Sequence, residues 1–288
     1  MIKTAPLNDY QLIDAGDNEK LERWNEYLLI RPEPTAIWPK NANLYQWYQA
    51  DGYFQRSSKQ SGQWHFNKPI PQSWIFEYES LRLKVQPTDF KHTGIFPEQA
   101  ANWQWLSQQI VQQKQPIKVL NLFAYTGVAS LVCSQAGAKE VVHVDSSRSI
   151  IAWAKENMYL SKLEHNKIRF IADDCLKFVL KEQRRGNLYQ GIIMDPPSYG
   201  RGPNNEIWKI EEQLATLIKA SLKLLDPENP LFFLVNTYTT SLSRQAMENL
   251  MRRLFESKEG QLEVSEIGLK SESNEIILPC GVSSRWQR

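Results

Sequence analysis

A chain of 288 residues with 42% hydrophobic content can bury one large core and a smaller second one, and its formal net charge of +2 excludes a strongly basic, uniformly phosphate-binding surface. No run approaches the roughly 18 unbroken apolar residues of a membrane-spanning helix, and the first residues lack the apolar core of a secretory signal. Three widely spaced cysteines, Cys133, Cys175 and Cys280, argue against a disulfide framework and against a zinc site, so the expectation is a cytoplasmic enzyme in a reducing compartment, with no membrane partner and no metal.

Residues 10–14 form an apolar-rich run stopped by the turn Ala15-Gly16-Asp17-Asn18. Residues 19–31 read as a hairpin reversing near Asn25-Glu26, after which Pro32, Pro34 and Pro39 interrupt. A short helix is predicted over 44–50, extended segments over 53–55 and 63–66, and a hairpin pairing 74–78 with 81–86 across Glu79-Ser80. Together these give a small β-rich domain over residues 1–89. Its tryptophans, Trp24, Trp38, Trp47, Trp64 and Trp74, suit core and turn packing, or, in an exposed subset, stacking on RNA bases.

Residues 90–99 bridge to a helix over 100–113 with Trp103, Leu106 and Ile110 on one stripe. An apolar run over 119–122 then breaks at Ala124-Tyr125-Thr126-Gly127, a small-residue helix follows over 128–136, Gly137 stops it, and a second apolar run over 141–144 ends on Asp145. This is a βαβ crossover whose loops emerge at the carboxyl ends of parallel strands, where such sheets bind ligands. Gly127 permits close backbone approach, and Asp145 is placed to accept both hydroxyls of a ribose, so an adenosine-containing cofactor is the simplest fit. The alternative is a structural crossover with Asp145 solvated at a strand end. Ser146 or Ser147 can cap the next helix, over 147–160, with Ile151, Ala154 and Met158 inward. A third apolar strand from residue 168 closes on Asp173 and Asp174 beside Cys175, before a helix with Leu176, Val179 and Leu180. Those carboxylates can accept the amine of adenine, or cap the helix.

The run Gly191-Ile-Ile-Met-Asp195-Pro196-Pro197-Ser198-Tyr199 is a buried strand leading into a rigid loop. The two prolines lock φ and donate no N–H, which leaves carbonyl acceptors beside an aromatic face, an arrangement suited to a planar, amine-bearing base. Residues 200–205 are mobile in composition and can close over a substrate. Glu206 to Lys209 lead to a helix with Leu214, Leu217, Ile218 and Leu222 in register, then a strand over 231–236, a helix over 244–255 and extended runs over 261–269 and 276–283. The alternation predicts a doubly wound α/β domain over residues 90–288. Lys181, Arg184 and Arg185, and Arg252 with Arg253, are the basic clusters available for RNA; most such clusters are solvated helix faces.

In order and spacing, Asn121-Leu-Phe-Ala-Tyr-Thr-Gly127, Asp145, Asp174 and Asp195-Pro-Pro-Ser-Tyr199 resemble the class I S-adenosylmethionine-dependent methyltransferases, and among them the branch that includes bacterial large-subunit ribosomal RNA methyltransferases. His92-Thr93-Gly-Ile-Phe-Pro-Glu-Gln99 also resembles that branch. The resemblance implies a Rossmann-like sheet of seven strands with the last pair antiparallel. It implies S-adenosylmethionine as cofactor, held by Phe123, Ala124, Tyr125, Thr126 and Gly127 at its methionine part, by Asp145 and Ser146 at ribose, and by Asp173, Asp174 and Cys175 around adenine. Thr93 and Gln99 are placed near the methionine end by resemblance alone. RNA, with ribosomal RNA favoured, is the implied partner. Asp195 and the Pro196 carbonyl would hold the acceptor amine, Pro197 would stiffen the loop, and Tyr199 would stack on the base.

The modified atom turns on a thiol. Cytosine C5 needs a cysteine thiolate added at C6 before methyl transfer. The related cytosine enzymes are expected to carry that cysteine near the end of the strand after the Asp-Pro-Pro loop, where this chain has Asn236-Thr237-Tyr238-Thr239. The departure favours a nitrogen acceptor. Three other functions share parts of the pattern: a methyltransferase for a protein or small molecule, a nicotinamide-dependent oxidoreductase, which leaves the Asp-Pro-Pro-Ser-Tyr loop unexplained, and a non-catalytic RNA-binding protein with a relic fold.

Overall fold

The computed structural model describes residues 2–57, 62–89, 91–201, 206–238 and 241–288. It divides into two compact units, a larger one built from residues 102–266 and 281–288 and a smaller one from residues 2–101 and 267–280.

In the larger unit the strands stand in the order Ile168–Ala172, Glu140–Asp145, Lys118–Leu122, Gly191–Met194, Phe232–Thr237, Ile277–Gln287 and Gln261–Lys270. The first five are parallel, and Ile277–Gln287 runs antiparallel to Phe232–Thr237. Seven strands were implied; the sheet order has an eighth, the two-residue Ile2–Lys3, whose residues fall in the smaller unit. The strand residues alternate between two cores, as the period of two requires. Leu120, Leu122, Val142, Val144, Ile192, Met194, Phe233 and Val235 meet the apolar stripes of helices Cys175–Arg184, Ile210–Ser221 and Arg244–Leu254. Val119, Val141, Ile193, Phe232 and Leu234 meet Leu106 and Ile110 of helix Ala100–Val111 and Cys133 of helix Val128–Gln135. Both faces are therefore covered, which is why these strands read as continuous apolar runs. Each fully buried aliphatic side chain contributes up to about 1.5–3 kcal/mol.

The smaller unit contains a five-stranded sheet, Tyr10–Gly16, Glu19–Trp24, Tyr27–Pro32, Gly52–Arg56 and Gly62–Phe66, and a hairpin of Trp74–Tyr78 with Leu81–Val85. Asp17, Asn18 and Asn25 supply the left-handed φ angles of 50°, 62° and 53° that two-residue turns demand. The predicted short helix is a 3-10 turn, Tyr45–Gln49. The five tryptophans pack: Trp24 is fully buried, the Trp47 indole donates to Asp14 Oδ2 at 2.9 Å, Trp38 and Trp64 donate to the carbonyls of Ala15 and Thr88, and Trp74 lies against Tyr27. Among the described residues, the exposed large aromatics of the unit are instead tyrosines and a phenylalanine, Tyr45, Tyr48, Tyr53 and Phe66. Glu22 is buried and ionised; burial opposes the charge, but Arg31, Lys20 and the Tyr10 hydroxyl outweigh it and hold the carboxyl down to about 2.

One element differs from expectation near the site. Tyr199–Arg201 and Ile207–Lys209 form an antiparallel ribbon, with Gly200 opposite Trp208. Tyr199 is thus the first residue of a strand, and Ile207 and Trp208 are good strand formers. The part of the composition-mobile loop at residues 202–205 lies outside the described residues.

Candidate active site

Register brings the candidate residues to one level of the sheet. Leu122 pairs with both Val144 and Met194, and Asp145 with Ala172. The next residues, Phe123, Asp145, Asp173 and Asp195, therefore leave neighbouring strands together. Lys118–Leu122 and Gly191–Met194 also flank the point where strand order reverses, which is where open α/β sheets bind ligands.

The loop after Lys118–Leu122 is tightly wound. Phe123, Tyr125 and Gly127 all have left-handed φ, at 53°, 50° and 91°, and two of these are non-glycine residues held at a cost of about 1–3 kcal/mol each. Internal bonds repay that strain. The N–H of Phe123 donates to Cys175 Sγ at 3.3 Å, that of Ala124 to the Val144 carbonyl at 3.0 Å, that of Tyr125 to Asp145 Oδ2 at 3.0 Å and that of Gly127 to the Ala124 carbonyl at 3.0 Å. Beneath the loop Asn157 Nδ2 donates to the buried Thr126 carbonyl at 2.9 Å. The role of Gly127 differs in part from expectation. Besides its φ, a Cβ there would stand 3.1 Å from Ala154 Cβ and 3.4 Å from His143 Cε1, so the glycine serves close packing within the fold. Since these loop N–H groups are already satisfied, the loop presents chiefly carbonyl oxygens, each with a second lone pair. That set of acceptors fits the cationic ammonium of a methionine moiety.

His143 is fully buried, with Nδ1 3.1 Å from Ser130 Oγ, which also accepts from Asn121 Nδ2 at 2.9 Å. Burial holds its imidazole neutral, with a pKa of about 3. These side chains brace the loop from within the sheet.

Asp145 is half-buried. Its Oδ1 accepts the Ser147 N–H at 2.9 Å and its Oδ2 that of Tyr125 at 3.0 Å, and a carboxylate, with about four lone-pair sites, has acceptor capacity beyond these for a diol. Burial raises its pKa, and the N–H groups of Ser147, Tyr125 and Ser146 oppose that rise. Helix Arg148–Leu160 is capped by Ser147, whose Oγ accepts from Ile150 N at 3.3 Å, and Ser146 is half-buried beside Asp145. Of the two carboxylates at the next strand end, the cap falls to Asp174, whose Oδ1 accepts from Lys177 N at 2.8 Å. Asp173 accepts from Asp174 N and pairs with Lys181. Lys181, one of the basic residues considered for RNA, is therefore engaged at the site. Cys175 is buried under Phe123, and burial pushes its thiol pKa well up.

The Asp195 N–H donates to the Leu122 carbonyl at 3.3 Å, and Asp195 Oδ2 accepts from the Tyr238 hydroxyl at 3.4 Å. Pro196 is buried, whereas Pro197, Ser198 and Tyr199 are exposed. The expectation of free carbonyls needs one correction, because the Pro197 carbonyl already accepts from Trp208 Nε1 at 2.7 Å. Tyr199 is 54% exposed, so its ring is open to a ligand. Thr93 and Gln99 are both buried within the smaller unit.

Register thus gathers Phe123 to Gly127, Asp145, Asp173, Asp174 and Asp195 to Tyr199 in the larger unit. The sequence reading missed Trp208, Tyr238, Asn157 and the Asn121–Ser130–His143 set. Asn157 carried a signal, a polar residue beside Met158 on an otherwise apolar helix stripe; Trp208 and Tyr238 had none beyond being aromatic near strand ends.

A family model described as S-adenosylmethionine-dependent methyltransferase matches residues 42–240. The ribosomal RNA large subunit methyltransferase K/L of Pseudoalteromonas atlantica is 33% identical over 178 residues, 61% of this chain and 24% of that protein. The protein of that name in Colwellia psychrerythraea is 30% identical over 275 residues, 86% of this chain and 37% of that protein. The chain thus spans about a quarter to two-fifths of the length of these relatives. Among solved structures, a SAM-dependent methyltransferase from Agrobacterium tumefaciens aligns with a TM-score of 0.94 and 34% identity over 99% of this chain and 92% of that one. A methyltransferase structure from Streptococcus mutans, at 16% identity and a TM-score of 0.75 over 98% of this chain and 76% of that one, shares the fold.

Proposed function

This chain belongs to the S-adenosylmethionine-dependent methyltransferase family, and from that membership we propose that it methylates a base nitrogen in RNA, with ribosomal RNA the favoured substrate. The observation that carries the reading is the paired register at Leu122, which starts the cofactor loop and the Asp195-Pro196-Pro197 loop side by side on adjacent strands. The names of the curated relatives favour ribosomal RNA as the acceptor class.

When bound, the cofactor supplies a sulfonium methyl whose leaving group is already good, so the protein has little acid–base work to do. Its task is to align the acceptor atom in a water-poor pocket. Asp195 and the Pro196 carbonyl accept hydrogens from the exocyclic amine and turn the nitrogen lone pair toward the methyl. Tyr238 holds the Asp195 carboxylate, and Tyr199 offers an exposed ring on which the base stacks. Asp145 takes the ribose hydroxyls, Ser146 lines the same turn, and Asp174 keeps Oδ2 for the adenine amine while Oδ1 caps the helix. A base within a duplex is flipped out first, at a cost of a few kcal/mol.

Nitrogen is favoured over cytosine C5 because the two cysteines of the larger unit, Cys133 and Cys175, are buried with thiol pKa values raised by burial, unsuited to nucleophilic attack. The test is methyl transfer from tritiated S-adenosylmethionine to large-subunit ribosomal RNA from cells lacking the protein, followed by nucleoside separation. Label in an N-methylated base supports the reading. Label in 5-methylcytosine overturns the choice of atom, and label in protein overturns the choice of substrate.

A further inference from the structure

We propose that Trp208 is a positioning residue that couples the acceptor loop to the cofactor loop, so that cofactor binding sets the geometry in which the acceptor is held. The inference rests on the methyltransferase reading of both loops. Trp208 touches each of them. Its indole N–H donates to the Pro197 carbonyl at 2.7 Å, and its ring lies against Phe123, centroids 5.0 Å apart and planes tilted by 54°.

The ribbon makes this contact its anchor. Tyr199, Ile207 and Lys209 are exposed, Gly200 has no side chain, and Trp208 at 8% exposure is the buried one of that set, packed into the core that holds Leu122 and Met194. The ribbon is closed at its base by the Ile210 N–H on the Ser198 carbonyl at 3.1 Å. Phe123 in turn is fixed by its left-handed backbone and by its N–H bond to Cys175. A shift of the cofactor loop at Phe123 therefore passes through one rigid indole to Pro197, one residue beyond the carbonyl assigned to the acceptor amine.

Trp208→Phe keeps a ring against Phe123 and removes the donor to Pro197; Trp208→Leu removes both. Hydrogen exchange over residues 195–210 is followed with and without S-adenosylhomocysteine, whose affinity for each variant is measured by calorimetry. In the natural protein the ligand is expected to slow exchange in the ribbon by about tenfold or more. In Trp208→Phe the affinity stays within about threefold while most of the slowing is lost, and kcat for methyl transfer falls about tenfold with KM for S-adenosylmethionine little changed. Trp208→Leu loses the slowing entirely. Equal slowing in all three proteins, with affinity intact, would show a plain packing residue and overturn the proposal. Failure of the natural protein to bind S-adenosylhomocysteine at all would instead remove the cofactor reading beneath it.

Discussion

Asp145 Oδ2 accepts the backbone N–H of Tyr125 at 3.0 Å, so the carboxylate assigned to the ribose also holds the loop assigned to the methionine end. The same side chain fixes the start of the next helix through Ser147 N. Sequence spacing showed the acidic residue at the strand end; the structure adds that it is a clamp.

Replacing Asp145 with Ala is expected to weaken S-adenosylhomocysteine binding by about 1.5–3 kcal/mol, roughly ten- to a hundredfold, since it removes charged acceptors and frees the loop. Asn retains one acceptor oxygen and is expected to fall between. Calorimetry on the two variants checks this, and unchanged affinity in Asp145→Ala removes the ribose assignment.

Burial raises the Asp145 pKa above the ordinary 3.8, against the opposing N–H groups of Ser147, Tyr125 and Ser146. A carboxyl raised on folding favours the folded state most below its unfolded pKa, and that contribution is lost as pH rises through the folded value. Ligand binding has the opposite sign, because the diol needs the ionised acceptor. Affinity for S-adenosylhomocysteine should therefore decline on acidification at a higher pH than an ordinary aspartate would give, and Asp145→Asn should lack that step. A midpoint at or below the ordinary value contradicts the assignment.

Gly127→Ala combines a backbone φ of 91° with a Cβ 3.1 Å from Ala154 Cβ. A loss of about 1–3 kcal/mol in stability is expected, together with weaker cofactor binding because helix Arg148–Leu160 must yield. Chemical denaturation gives the stability. An unchanged midpoint would mean that the loop tolerates the left-handed alanine and the helix moves freely.

Asp195→Ala is expected to leave cofactor affinity within about threefold and to abolish turnover, the pattern of a group that acts on the acceptor. If the variant folds but no longer binds S-adenosylhomocysteine, Asp195 belongs to the cofactor site.

The βαβ unit was legible because its apolar runs and small-residue helix carry clear periods, and the turns at Asp17-Asn18 and Asn25 because left-handed positions select those residue types. The ribbon of Tyr199–Arg201 with Ile207–Lys209 was not, since three-residue strands are too short to show a period. The choice between Asp173 and Asp174 as cap depends on a helix start fixed only to within a residue by pattern. Gly127 was legible as a special position, but its main neighbours, Ala154 and His143, come from elements distant in sequence. Trp208 was invisible for the same reason: its meaning lies in Phe123 and Pro197.

The most direct test of the central claim is isothermal titration of the purified protein with S-adenosylhomocysteine, with NAD titrated in parallel. Micromolar binding of S-adenosylhomocysteine and none of NAD is the predicted result. No binding of S-adenosylhomocysteine, whether or not NAD binds, contradicts the assignment of these loops to the cofactor.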